Sequence, residues 1–423
     1  MLGPFFPIEA EGKGAPSIVV GGVASTYPAC VVILSPIFGY YLPKVGVKFC
    51  LLAGILLFGG SNILFAFLYW LSGMSFTIFS FLLAFVGGIG SSMLQTATYA
   101  LVGILFKGRY GLTMGLTEVV VGIGYAAGPA VAGSLYEIGG FMLPFLVVGS
   151  IPLVFLPFLY ITIASPTNQM DGESHQLSIQ TIGHILKSCV IICLVLSIIV
   201  EAMSFSYSTP IFSPFMYHQF HLSVFEIGLI GLIDAVTYVV LCLVTGPLYD
   251  RLPPKPFIVI GLVLCSIACF LIGPAPYISK PRLWLTMVAD GILGVGGALI
   301  VSPIYPALMQ EAKSHFPELS TDSVAMFVSG IIPAAISCGE LIGPLVAGGL
   351  DGILSFEECS ALFGEVCLAM AILLLAVIIL DRLLSAKTVK EPDIRQQLEE
   401  SGKVKRNYNT FLNNSKDTTW TIL

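Results

Sequence analysis

Charge is what this sequence has least of. Asp, Glu, Lys and Arg together make up 10% of its 423 residues, against about a quarter in soluble domains. Hydrophobic residues make up 56%, and mean hydropathy is +0.93. Such scarcity excludes an ordinary water-soluble domain and points to a chain dissolved in lipid. The net charge of −6 supplies no basic field, so nucleic acid is not an expected partner. The ten cysteines are scattered, mostly inside apolar runs. Cys189/Cys193 and Cys265/Cys269 are spaced i, i+4, yet no His or acid joins them at ligand spacing. Buried thiols are expected there, with no metal site and no disulfide framework. Residues 1–15 carry Glu9, Glu11 and Lys13 and lack a long apolar core, so no cleavable signal peptide is expected in them. No nucleophile–base constellation and no phosphate-cradling loop appears, so neither an enzyme nor a cofactor is expected.

What is present is a series of apolar runs. A membrane-crossing helix needs about 20 mostly apolar residues. Eleven runs qualify: 17–42, 48–70, 75–105, 112–135, 142–164, 188–212, 223–248, 256–274, 283–309, 325–350 and 360–384. The expected fold is an all-α membrane protein, with an N-terminal bundle (1–164), a cytosolic linker (165–187), a C-terminal bundle (188–384) and a flexible cytosolic tail (385–423). Basic residues collect on the cytosolic side of membranes. With the linker and tail placed there, that side, counted up to Arg382, holds Lys44, Lys48, Lys107, Arg109, Lys187, Arg251, Lys255, Lys313 and Arg382. The other side holds Lys13, Lys280 and Arg282, a vote of nine against three that puts the C-terminus inside.

The two bundles repeat one plan. MGLTEVVVGIGYAAGPAVAG (114–133) matches SGIIPAAISCGELIGPLVAG (329–348), both reading Gly-x8-Gly-x3-Gly-Pro-x2-Ala-Gly. Gly115, Gly124, Gly128 and Pro129 in the first copy face Gly330, Gly339, Gly343 and Pro344 in the second, an offset of 215. GYYLPKVGVK (39–48) matches GPLYDRLPPK (246–255), so Gly39 pairs with Gly246 at an offset of 207. Two matches in one order at nearly one offset indicate a duplication. Duplicated halves are the build of secondary transporters, with the substrate site between them near the midplane. Gly124, Gly128 and Ala132 recur at i, i+4, i+8, a spacing that lets helix backbones approach closely, and Pro129 removes a backbone donor. At offset 207 the run 188–212 maps to −19 through 5. The first helix of the plan is therefore expected to precede Met1, leaving 11 spans of 12.

Ionisable groups inside spans are costly and usually face a cavity. Here they are Glu118, Glu201, Asp234, Asp290 and Glu340, with no Lys or Arg at matching depth. An acid-only cavity suits a cationic substrate, protons, or both, and argues against anions. Glu118 is the first choice for proton coupling. Glu201 and Asp234 suit amine binding, with an interhelical hydrogen bond as the alternative. Asp290 lies early in its span, where an interfacial position is the alternative, and Glu340 lies in the small-residue seam, where packing is. Tyr27, Tyr125, Tyr207 and Tyr238 are candidate aromatic walls for a cation. His218 and His221 are placed in a loop on the non-cytosolic side. The last residues, WTIL, have Thr421 and Leu423 where a PDZ-type ligand would.

These motifs resemble the major facilitator superfamily. GPLYDRLPPK is similar to its loop motif, with Gly246, Asp250 and Arg251 in place; the first copy departs, with Pro43 for the acid and Lys44 for the Arg. The Gly-Gly-Pro pattern of the fourth span resembles the family's antiporter signature. FFPIEAEGKGAP (5–16), GLTEVVVGIGYAAGP (115–129), IGPAPYISKPRLWL (272–285) and SPIYPALM (302–309) resemble the vesicular amine transporter family, its polyamine branch above all. The branch often has an acid before the proline where this chain has Thr209 before Pro210. The resemblance implies a monomeric carrier in the bilayer of an acidic vesicle, exchanging protons for a small cationic amine or polyamine.

Overall fold

A computed structural model describes residues 6–14, 16–163, 179–185, 187–273, 281–317, 319–350 and 353–383. The elements among the described residues are helices: α1 (Phe6–Gly12), α2 (Ser17–Val45), α3 (Val47–Ala66), α4 (Gly73–Leu105), α5 (Tyr110–Gly139), α6 (Met142–Thr162), α7 (Ile179–Ile185), α8 (Cys189–Ser206), α9 (Ser208–Phe220), α10 (Val224–Ile230), α11 (Leu232–Tyr249), α12 (Lys255–Ile272), α13 (Leu283–His315), α14 (Thr321–Leu350) and α15 (Phe356–Leu383). Contacts divide the chain into Met1–Leu374, which holds both cavities described below, and Leu375–Leu423.

Eleven helical stretches among the described residues are long and apolar enough to cross a membrane, as the sequence leads one to expect. Helices satisfy every backbone group internally, which lipid demands. Two of the stretches are broken: α8 gives way to α9 at Tyr207, and α10 to α11 at Gly231. The run expected over 188–212 thus continues to Phe220. His218 lies in the last turn of α9, which corrects its placement in a loop, while His221 follows the helix as its C-cap with φ 55°. Gly46, at φ 88°, makes the one-residue junction between α2 and α3. Large apolar side chains such as Ile33, Phe49, Val154 and Ile161 point outward, as a lipid-facing surface requires. Lys13 ties α1 down by donating to the carbonyls of Leu68, Tyr69 and Leu71 at 2.6–2.9 Å.

Packing follows the repeat. In the first half α4 lies against α2 and α3; in the second, α13 lies against α11 and α12. Across the halves α2 packs on α14, and α11 on α5.

Candidate functional site

A cavity of about 420 Å³ opens between the halves, walled by residues of α2, α4, α5, α8, α11, α13 and α14. Three carboxylates enter it: Glu118 from α5, Glu201 from α8 and Glu340 from α14. No Lys or Arg is among its lining residues. Glu118 is 3% exposed. It accepts hydrogen bonds from the hydroxyls of Tyr238 at 2.7 Å and Tyr99 at 3.2 Å. Glu340 accepts one from Tyr125 at 3.0 Å. Glu201 fits because α13 carries a glycine opposite: a Cβ on Gly297 would sit 3.0 Å from its Oε1. The spacing 118, 121, 125 places three α5 residues on one face of the helix, and all three line the cavity. Tyr27 and Gln95 line it too and both donate to the hydroxyl of the buried Ser91, Gln95 at 2.8 Å. Asp234 and Asp290 line a second, adjoining cavity instead.

At the end of the bundle that carries Lys107 and Arg251 the helices meet in paired images. A Cβ on Gly39 would sit 2.8 Å from Gly330 Cα, and one on Gly115 would sit 2.8 Å from Gly246 Cα. By the two offsets these are the same contact made twice. Asp250 completes the second: its carboxylate accepts from the amides of Gly111 at 2.6 Å and Leu112 at 3.1 Å. Those amides belong to the first turn of α5, where the helix leaves N–H groups unpaired. Arg251 beside it is exposed. Pro43 offers no such acid in the first copy. There Lys107 meets Asp322, in the first turn of α14, at 3.0 Å.

Two bonds have a further property. Lys107 and Asp322 are 215 residues apart, and so are Tyr125 and Glu340. Each residue bonds its own image under the main repeat offset. A pair of that kind lies on the axis relating the halves, so the two bonds mark where that axis runs.

Some expectations need correction. A Cβ on Gly124 or Gly128 would meet nothing within 4 Å, so the first small-residue face is bare rather than a tight seam, and α5 runs through Pro129 unbroken. Only Ala132 of that set is buried, in a cluster with Phe6, Phe65 and Phe145. The second copy is tight: Gly339 and Gly343 press on α8 at Ile199, Ala202 and Met203. Tyr207 walls no chamber; it is fully buried, stacked on Phe363 at 4.5 Å and bonded to Ser360. Thr421, Leu423 and the rest of the tail lie outside the described residues. Sequence reasoning missed Tyr99 as a partner of Glu118, and the Lys107–Asp322 and Lys255–Glu311 pairs. The offset of 215 carries the signal for Lys107 and Asp322.

The solved structure of the human organic anion transporter MFSD10 (TETRAN) superposes with a TM-score of 0.66 over 87% of this chain and 88% of that one, at 16% identity. That likeness shows the fold. The family model of the Major Facilitator Superfamily matches residues 1–315 and 194–422. The chain belongs to the Major Facilitator Superfamily. Among curated relatives of this facilitator, the mouse MFS-type transporter SLC18B1 is 31% identical over 86% of this chain and 79% of its own. The mouse vesicular acetylcholine transporter is 23% identical over 89% of this chain and 68% of its own. These relatives agree with the resemblance to vesicular amine transporters. The facilitator is a multi-pass membrane transporter.

Proposed function

We propose that this facilitator is a proton-coupled antiporter that moves a small organic cation, an amine or polyamine, into acidic vesicles, with its C-terminus in the cytosol. The observation that supports it most is the convergence of Glu118, Glu201 and Glu340 on one hollow with no base in its walls. A carboxylate away from water must be neutralised by a proton or a cation. Proton and ammonium therefore compete for the same oxygens, and that competition is the coupling: loading one expels the other as the halves alternate. Tyr27, Tyr125, Tyr238 and Phe205 supply aromatic walls, which attract an organic cation by their ring faces. An acid-lined chamber gives an organic anion nothing to bind.

The test is uptake of labelled putrescine and tyramine into proteoliposomes under an imposed pH gradient. Collapsing the gradient with nigericin is expected to bring uptake to background; uptake that persists rejects antiport. Glu118→Gln keeps the shape of the side chain and removes the exchangeable charge. It is expected to abolish gradient-driven uptake, whereas a facilitative carrier of the same fold would tolerate it.

A further inference from the structure

Both broken spans open onto one place. A cavity of about 230 Å³ is walled by Ser208 and Thr209, just past the break at Tyr207, and by Gly231, the break between α10 and α11. Asp234 enters it from the first turn of α11, and Asp290 from α13. Tyr125, Phe205 and Ala235 wall this cavity and the acidic chamber alike. The two hollows are neighbours along the bundle.

The carboxylates here are poorly provided for. Asp234 Oδ1 accepts from the amide of Ala235 at 2.6 Å. The nearby hydroxyl of Thr237 is turned away, bonded to the carbonyls of Ile233 and Asp234. Asp290 is 8% exposed, and its Oδ2 has no hydrogen-bond partner. No Lys or Arg lines the cavity. An unpaired buried carboxylate oxygen is expensive, and the Asp290 side chain that carries it lines a space large enough to hold a ligand group. Broken helices are where secondary transporters place such sites, because the break frees backbone groups and lets a charge sit at membrane depth.

We propose that Asp234 and Asp290 form a second cation subsite, which receives the ammonium group of the transported amine on its path to or from the chamber. This rests on the function proposed above. An organic ammonium fits better than a bare metal ion. Phe205, Phe212 and Tyr125 line the cavity, and aromatic rings attract an organic cation, whereas a hard metal ion asks for about six oxygens.

The experiment measures amine counterflow in proteoliposomes without a pH gradient, then gradient-driven uptake, for wild type, Asp234→Asn and Asp290→Asn. Each variant is expected to raise the half-saturating putrescine and tyramine concentrations about tenfold in counterflow, the loss of one charge-assisted contact. The saturating rate should stay within about twofold, since ground-state binding alone is removed. Normal half-saturation with loss of gradient-driven uptake alone would assign the pair to the proton and overturn the subsite. Unchanged kinetics in both assays overturns it too. If wild type moves no amine in either assay, the antiport reading fails by itself.

A second measurement then still judges the subsite. Ser208→Cys is labelled with cationic aminoethyl and anionic sulfonatoethyl methanethiosulfonate, with the parent protein's labelling subtracted. The cationic reagent is expected to react faster, and Asp290→Asn to cut that preference about tenfold. Equal rates for the two reagents, or a preference indifferent to Asp290, overturn the proposal even where a variant fails to fold.

Discussion

The two Gly-Pro helices carry the same letters at the same spacing and stand in opposite surroundings. On α14 a Cβ at Gly343 would lie 2.8 Å from the carbonyl of Met203, and Gly339 touches Ala202. On α5 the matching Gly128 and Gly124 meet nothing. The difference lies in the partner. α14 packs on α8, and no image of α8 stands against α5 among the described residues. A small-residue motif therefore specifies how closely a helix can be approached, and leaves open by what. At the other end of the same helices a partner exists for both copies, and there the contacts agree: Gly39 on Gly330, Gly246 on Gly115.

The largest effect expected from this contrast is on Gly343→Leu against Gly128→Leu. At Gly343 the added side chain has backbone on its path, and overpacking of this kind costs about 1–3 kcal/mol or more. Gly128→Leu adds an apolar group to an open face and should leave the thermal midpoint of the purified protein nearly unchanged. A loss at Gly128 as severe as at Gly343 would show that the α5 face is covered in the membrane, and the asymmetry would disappear.

Much of the fold was legible because lipid leaves so few choices. Eleven apolar runs had to be helices, and all eleven are. The breaks at Tyr207 and Gly231 were legible only in part: Pro210 has no N–H to give the carbonyl of Ser206, and Gly231 is a weak helix former, but a break inside a membrane is tolerated only where tertiary structure provides a cavity, which pattern alone does not show. The acids were legible as a set, since an unpaired charge in a span needs a reason to be there. Their sorting was not. Glu118, Glu201 and Glu340 share one hollow while Asp234 and Asp290 share another, and that depends on the rotation of each helix about its axis. Helices apolar on nearly every side give no periodicity from which to read that rotation. The bare face at Gly124 was illegible for a related reason, because a spacing names a face without naming its neighbour.

A smaller effect is expected where the repeat axis passes through an ion pair. Asp322 is 2% exposed at its side chain, and Lys107 is 34% exposed. Lys107→Ala leaves a buried acid short of its cation and should cost about 1–3 kcal/mol, discounted for the solvent that reaches the lysine. Lys107→Asp combined with Asp322→Lys is the informative variant. Because each residue is the image of the other, the exchange permutes the copies and restores the pair. It should recover most of the thermal midpoint that either single change loses. Two losses that simply add would mean the pair is an accident of the surface, since independent sites are the ones that add.

The smallest effect tests the same axis deeper in the molecule, at Tyr125 and Glu340. Tyr125→Phe removes one hydroxyl donor from a carboxylate that faces an open cavity, so water takes its place and the cost should be about 1 kcal/mol or less. Tyr238→Phe removes the 2.7 Å donor from Glu118, whose carboxylate is almost wholly enclosed, and should cost more. The contrast separates position on the axis from burial. The exchange Tyr125→Glu with Glu340→Tyr should rebuild the on-axis bond in mirror order and return the midpoint to that of the parent, because a bond between self-images is indifferent to which copy supplies the acid. An equivalent exchange of Tyr238 with Glu118 has no such reason to succeed, since the two are 120 residues apart and are not images of each other. If both exchanges fail alike, the two 215-residue bonds are coincidences of packing, and the axis must be sought elsewhere between α5 and α14.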